Sequence, residues 1–154
     1  MMVFRLSKAQ FARDLSGRGA QIAGGRWNSK GIPMVYTSQS RALCTVEIAV
    51  HTPLGNIPED YVLVSVFIPD HLIIKELQEK ELPARWYAFP HPHSTQEIGD
   101  RFINGKKHPV LKVPSAVVQG EYNFLLNPLH PEFGSISIHS VEPFRFDERL
   151  FKSL

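Results

Sequence analysis

The chain has 154 residues, 43% of them hydrophobic and 21% charged, which suits one globular unit with a single core and no disordered tract. Its net charge of +2, without a Lys/Arg run, gives no electrostatic stripe for nucleic acid. Charged residues interrupt the N-terminal apolar stretch, no apolar run reaches membrane-spanning length, and Cys44 is alone, so the expectation is a cytoplasmic protein without secretion signal, membrane span or disulfide framework.

In chain order, VFRL (3–6) predicts a short strand, and KAQFARDL a helical turn or two before Gly17-Arg18-Gly19. A glycine-rich loop covers 17–31, followed by a strand at MVYTS (34–38). Ser38 or Ser40 is a fitting N-cap for a helix running to about His51. YVLVSVFIP (61–69), β-branched and apolar, reads as a central strand, with HLIIKEL a second strand or a passage to a turn. After the proline loop FPHPHS, the S-x-x-E pattern at Ser94–Glu97 predicts a capping box for a helix over about 95–104. Four strand-like segments close the chain: PVLKVPSAVV (109–118), YNFLLNP (122–128), SISIHSV (135–141) and PFRFD (143–147). Late strands without intervening helices predict an α+β fold: a single domain over 1–154 with a mixed, mostly antiparallel sheet and a few flanking helices.

Several chemistries are absent. Gly17-Arg-Gly19 lacks the third glycine of the dinucleotide fingerprint, and no G-K-[S/T] ending makes a P-loop. His91 and His93 form an H-x-H on the proline loop, while His108, His130 and His139 are scattered among strands, so no zinc site is expected. No nucleophile elbow exists, and Cys44 reads as a small hydrophobe inside its helix.

Glu47 is the only charged side chain between Ala42 and Val50. Burying a carboxylate costs several kcal/mol unless it is paired or used. On a helical wheel Ala42, Val46, Ala49 and Val50 make the apolar stripe, with Leu43 and Glu47 at its edge. Arg26, Trp27 and Tyr36 lie close upstream. A cation for phosphate, an aromatic face for a flat ring and an acid for developing positive charge suggest a nucleotide-cleaving site. The structural alternative is an acid paired with a loop arginine to fix the loop. Ser115, at a strand bend, and Asn123 could each bond a ligand or satisfy a turn.

GGRWNSKGIPMVYTS, ALCTVEIAVH, TQEIGDRF, KVPSAVV, YNFLLNPLHPEF and PFRFDERL occur in an order that resembles the RES-domain family, from Phe4 to Leu150. By that resemblance Arg26, Glu47 and Ser115 are the naming arginine, glutamate and serine, Tyr36 the accompanying aromatic and Asn123 part of N-x-L-L-N-P. The resemblance implies an ADP-ribosyltransferase-like fold and a bacterial toxin that degrades NAD⁺ by hydrolysis or phosphorolysis. It also implies an Xre-type helix-turn-helix antitoxin that blocks the active site, and a homodimer or a hetero-oligomer with that antitoxin. NAD⁺ is then substrate, with no further cofactor or metal, no direct nucleic-acid binding and no membrane. Glu47, Arg26, Tyr36 and Ser115 are the expected catalytic set. Arg26, Trp27, Asn28, Tyr36, Ser115, Asn123 and Arg5 are the expected NAD⁺-binding set. The rivals are a protein ADP-ribosyltransferase, a non-catalytic partner-binding domain and, with no His/Lys dyad in its favour, an RNA-cleaving toxin.

Overall fold

The computed structural model describes residues 1–152. Its strands are β1 (Met2–Lys8), β2 (Val35–Ser38), β3 (Tyr61–Phe67), β4 (Ile74–Glu76), β5 (Val110–Pro114), β6 (Tyr122–Leu126) and β7 (Ser137–Pro143). They form one sheet in the order β4-β5-β6-β2-β1-β3-β7. Only β4 and β5 run parallel. With the helices α1 (Arg18–Ala23), α2 (Arg41–His51) and α3 (His93–Gly105), this is the α+β architecture that the closing run of strands predicts.

The sheet nearly divides in two, and the division creates the site. β1 pairs with β3 over its whole length, Met2↔Phe67 to Lys8↔Tyr61, but meets β2 at a single position, Phe4↔Ser38. Past Phe4 the two strands part. Arg5, Leu6 and Ser7 on one side, and Met34, Val35 and Tyr36 on the other, then line a cavity.

Alternation along the strands loads both faces of the sheet. Phe124 and Leu126 of β6 join Val3, Val35, Val64 and Val66 in one core. Leu125 between them joins Trp27, Met34, Val113 and Ile103, the last from α3, in another. A third core of Leu6, Cys44, Leu63, Phe146 and Phe151 lies beneath α2. Truncating a buried Leu, Ile, Met, Phe or Trp among these to Ala costs about 2–5 kcal/mol.

α2 begins at Ser40 instead of Ser38: the Ser40 Oγ accepts from the Leu43 N–H at 3.0 Å. Its inward face differs from the wheel expectation. Leu43 and Cys44 are buried, whereas Ala42 and Val50 are exposed. A helix apolar on nearly every side has no direction legible from periodicity. Packing against β1 and β2 decides it, with Cys44 Sγ donating to the Phe4 carbonyl at 3.0 Å. Glu47, one turn after Leu43, is half-buried at the edge of that core, where cavities open beside it, as its wheel position predicts.

Four other expectations are corrected. The Ser94–Glu97 capping box does not form: α3 starts at His93 behind Pro92, and Thr95 Oγ1 donates back to the Pro92 carbonyl at 2.9 Å. PFRFD is not a strand beyond Pro143, because Phe144 and Phe146 turn edge-on into the core under α2, their centroids 5.0 Å apart. The glycine-rich loop contains the short helix α1. β3 is interior but lies next to the edge strand β7, away from the centre of the sheet.

Candidate active site

Glu47 projects from α2 toward β6 and the bend after β5. Its Oε1 accepts two hydrogen bonds, from Asn123 Nδ2 at 2.7 Å and from Ser115 Oγ at 3.0 Å. Both donors address the same oxygen, and the side chain lines two adjoining cavities. Charge-assisted bonds of this kind contribute about 1.5–3 kcal/mol each and fix the carboxylate's orientation.

Each donor is itself held. Asn123 sits directly across from Ser38 in the β2–β6 register, and Ser38 Oγ donates to its Oδ1 at 2.7 Å. That bond sets the amide so that its NH₂ faces Glu47. Ser115 is buried, and its Oγ accepts from the N–H groups of Val117 and Val118 at 3.1 and 3.0 Å. It lines none of the three cavities and contacts the site through Glu47.

The loop carrying Arg26 is bolted down. Tyr36 Oη accepts from the Trp27 N–H at 3.0 Å and donates to Asn28 Oδ1 at 2.6 Å. Gly25 permits that approach: a Cβ there would lie 2.7 Å from Tyr36 Oη. Asn28 Nδ2 donates to the Ala20 and Ile32 carbonyls at 2.8 and 3.0 Å. From α3, Gln96 and Asp100 hold Gly25 and Ser29. Burial pushes the Tyr36 phenol far above its ordinary range, so its hydroxyl is a structural bridge and only its ring face is offered to the cavity.

Arg26 Nη1 donates to the carbonyls of Trp86 and Ala88 at 2.7 and 2.9 Å. This ties the segment before Pro90 to the site and leaves the guanidinium's other donors unspent. Desolvation lowers the Arg26 pKa, partly offset by the charge of Glu47. Neither Arg26 nor Glu47 makes an ion pair among the described residues. The structural alternative of an acid paired with a loop arginine is therefore not what Glu47 does.

The cavity between them has a volume of about 740 Å³ and is lined by Arg26, Tyr36, Glu47, His51, Phe89 and His91, among others. This lies within the range of small-molecule sites. A smaller one of about 140 Å³ joins Arg5 to Glu47 and Asn123. Arg26, Tyr36, Glu47 and Asn123 are thus brought together, with Arg5 one cavity away.

Trp27 and Asn28 stand differently from the expected NAD⁺-binding set. The Trp27 ring is core, 3% exposed and packed on Trp86 at 6.3 Å, and forms only part of the cavity wall. Asn28 is fully buried, its amide bonded inside the loop, which it staples.

Sequence reasoning missed four residues. Ser38 depends on cross-strand register, which no local pattern reveals. Phe89 stacks near His51 at 6.1 Å, and His51 lies one turn after Glu47 on α2, a spacing that could have flagged it. His91 was legible only as half of an H-x-H. Burial, Arg26 and His51 all lower its pKa, which favours the neutral ring at the cavity edge. Among the described residues no group of three or more His, Cys, Asp or Glu could hold a metal ion, and no helix is long and apolar enough to cross a membrane.

A family model described as the RES domain matches residues 2–147. The chain is 36% identical over 143 residues to a protein of Sphingobium sp. (strain YBL2) named Prs ADP-ribosylating toxin, covering 92% of this chain and 89% of that one. It is 35% identical over 153 residues to Toxin Res of Yersinia enterocolitica, covering 97% and 99%. Among solved structures, the MbcT–MbcA toxin–antitoxin complex of M. tuberculosis contains a chain that matches with a TM-score of 0.72 at 21% identity. That match covers 97% of this chain and 86% of the other, and is a likeness of fold.

Proposed function

This chain belongs to the RES domain family, and we propose that it is the toxin of a toxin–antitoxin pair, cleaving the bond between nicotinamide and ribose in NAD⁺. The observation that carries this reading is Glu47: a carboxylate held by two donors on one oxygen, facing a cavity shared with Arg26 and the Tyr36 ring.

Ordinary glycoside hydrolysis needs a second carboxyl group to protonate the leaving group. Nicotinamide in NAD⁺ is already cationic. When its bond to the ribose C1′ breaks, the electron pair stays on the ring nitrogen and the ring departs neutral. One carboxylate then suffices, stabilising the oxocarbenium-like ribose. In this mechanism Glu47 faces that ribose, Tyr36 packs against it or the nicotinamide, and Arg26 holds the pyrophosphate. Ser115 and Asn123 keep the carboxylate in place, and Ser38 keeps Asn123. An oxygen nucleophile from water or phosphate adds to C1′ and loses its proton.

A second reading keeps the site and changes the acceptor to a protein side chain. The relative named as an ADP-ribosylating toxin favours it. Incubating the protein with NAD⁺ labelled in the adenylate half separates the two: degradation releases free ADP-ribose or its phosphate ester, identified by mass with and without phosphate, whereas transfer labels a protein band. The antitoxin of this reading is of the Xre type and covers the cavity, the pair is cytoplasmic, and the toxin dimerises or joins a hetero-oligomer. NAD⁺ remaining intact in every condition would leave a partner-binding domain.

A further inference from the structure

We propose that the opening between β1 and α1 is a second binding chamber that takes the adenosine end of the dinucleotide, a proposal resting on the NAD⁺ reading above. This chamber has a volume of about 530 Å³, and its lining includes Arg5, Phe11, Arg18, Ile22 and Tyr36. Glu47 does not line it. The chamber connects to the reacting centre through shared walls: Tyr36 lines all three cavities, and Arg5 lines both this chamber and the small cavity that Glu47 also lines. Along the split in the sheet the order is therefore Glu47, then Arg5, then Phe11 and Ile22. NAD⁺ presents matching needs in the same order, a ribose carbon becoming positive, a pyrophosphate and a flat purine.

Arg5 is bonded to neutral acceptors, with the Asp14 carboxylate on the same chamber wall and close enough to act on it through its charge. Its Nη1 donates to the Asp14 carbonyl at 2.7 Å and its Nη2 to Ser7 Oγ at 3.2 Å, both neutral acceptors. It makes no ion pair among the described residues. Desolvation lowers its pKa, opposed chiefly by the charge of Asp14. Two of the five donors are spent as anchors, so the fork is oriented with donors left over. A half-buried cation whose fork is oriented and still has free donors suits an anion, and an entering phosphate is such an anion.

The far walls suit a base. Phe11 and Ile22 line the chamber together and are both exposed, so an aromatic ring and an aliphatic side chain are open to an entering flat base. The chain between them is pinned to the start of β2. Gly17, at φ 75°, lies so close that a Cβ there would sit 2.6 Å from the Met34 nitrogen.

The test compares the full-length protein with Phe11→Ala and Ile22→Asp, both at exposed positions, after thermal melts show each folds. Two readouts are taken: binding of ADP, and cleavage of NAD⁺ against nicotinamide mononucleotide. The expected result is ADP binding and NAD⁺ KM both weakened about 5- to 30-fold in Phe11→Ala, the range that stacking one base on one ring supports. Ile22→Asp, which sets a charge in the apolar wall that meets the base, should do at least as much. kcat should stay within about twofold and kcat/KM for the mononucleotide should not move, because the lost binding is remote and uniform. Unchanged ADP binding and NAD⁺ KM, with NAD⁺ still cleaved, would overturn the chamber and leave the proposed function standing. ADP binding lost in Phe11→Ala while the wild type cleaves no NAD⁺ would retain the chamber and overturn the function.

Discussion

Ser38 provides the sharpest test of how Glu47 is held, because it touches Glu47 only through Asn123. Removing its hydroxyl deletes the 2.7 Å bond to Asn123 Oδ1 and frees the amide to rotate its oxygen toward the carboxylate. A neutral hydrogen bond is worth about 1 kcal/mol net, so Ser38→Ala should lower kcat about fivefold. Asn123→Ala removes a bond to a charged group, worth about 2 kcal/mol, and should lower kcat about 30-fold. If Ser38 acts through Asn123, the double variant should match Asn123→Ala alone, about 30-fold. Independent action predicts the product, about 150-fold. The assay is NAD⁺ cleavage at saturating substrate by purified proteins of matched melting behaviour. A double variant near 150-fold would refute the relay from Ser38 to Glu47.

Two further predictions concern the loop. Arg26→Lys supplies one ammonium where the guanidinium serves the Trp86 and Ala88 carbonyls and still faces the cavity. It should lower kcat/KM at least about tenfold and speed limited proteolysis between residues 85 and 91, read by mass spectrometry. Tyr36→Phe removes the bridge from the Trp27 N–H to Asn28 but keeps the ring. It should cost about 1–3 kcal/mol in denaturant titration and leave kcat within about threefold, because the hydroxyl transfers no proton. For the same reason the wild-type activity should show no tyrosinate limb on the alkaline side, burial having pushed that phenol out of reach.

The strand-rich second half makes the fold class legible in the sequence, and the Phe4-to-Leu150 resemblance singles out Arg26, Tyr36, Glu47, Ser115 and Asn123. What stayed hidden follows from where the information lies. The split between β1 and β2 is a matter of register, one paired position at Phe4↔Ser38, and neither strand's composition encodes it. Ser38 became visible only once β2 lay against β6. The direction of α2 was misread because its apolar residues surround it, and only Leu43 and Cys44 docking on the sheet selects the face. Trp27 and Asn28 show how much of a loop residue's setting depends on packing. Trp27 packs into the core while forming part of the cavity wall, and Asn28 is buried with its amide bonded inside the loop, placements that no local pattern around Arg26 encodes.

The most direct test of the central claim is NAD⁺ consumption by the wild type and by Glu47→Gln, which keeps the shape of the side chain and removes its charge. Glu47→Gln should fold with an ordinary melt and release nicotinamide at least about 100-fold more slowly, the scale set by losing an electrostatic contact made in the transition state. A folded Glu47→Gln protein that consumed NAD⁺ at the wild-type rate would contradict the role given to Glu47, and a wild type that left NAD⁺ intact at high protein concentration would contradict the proposed function itself.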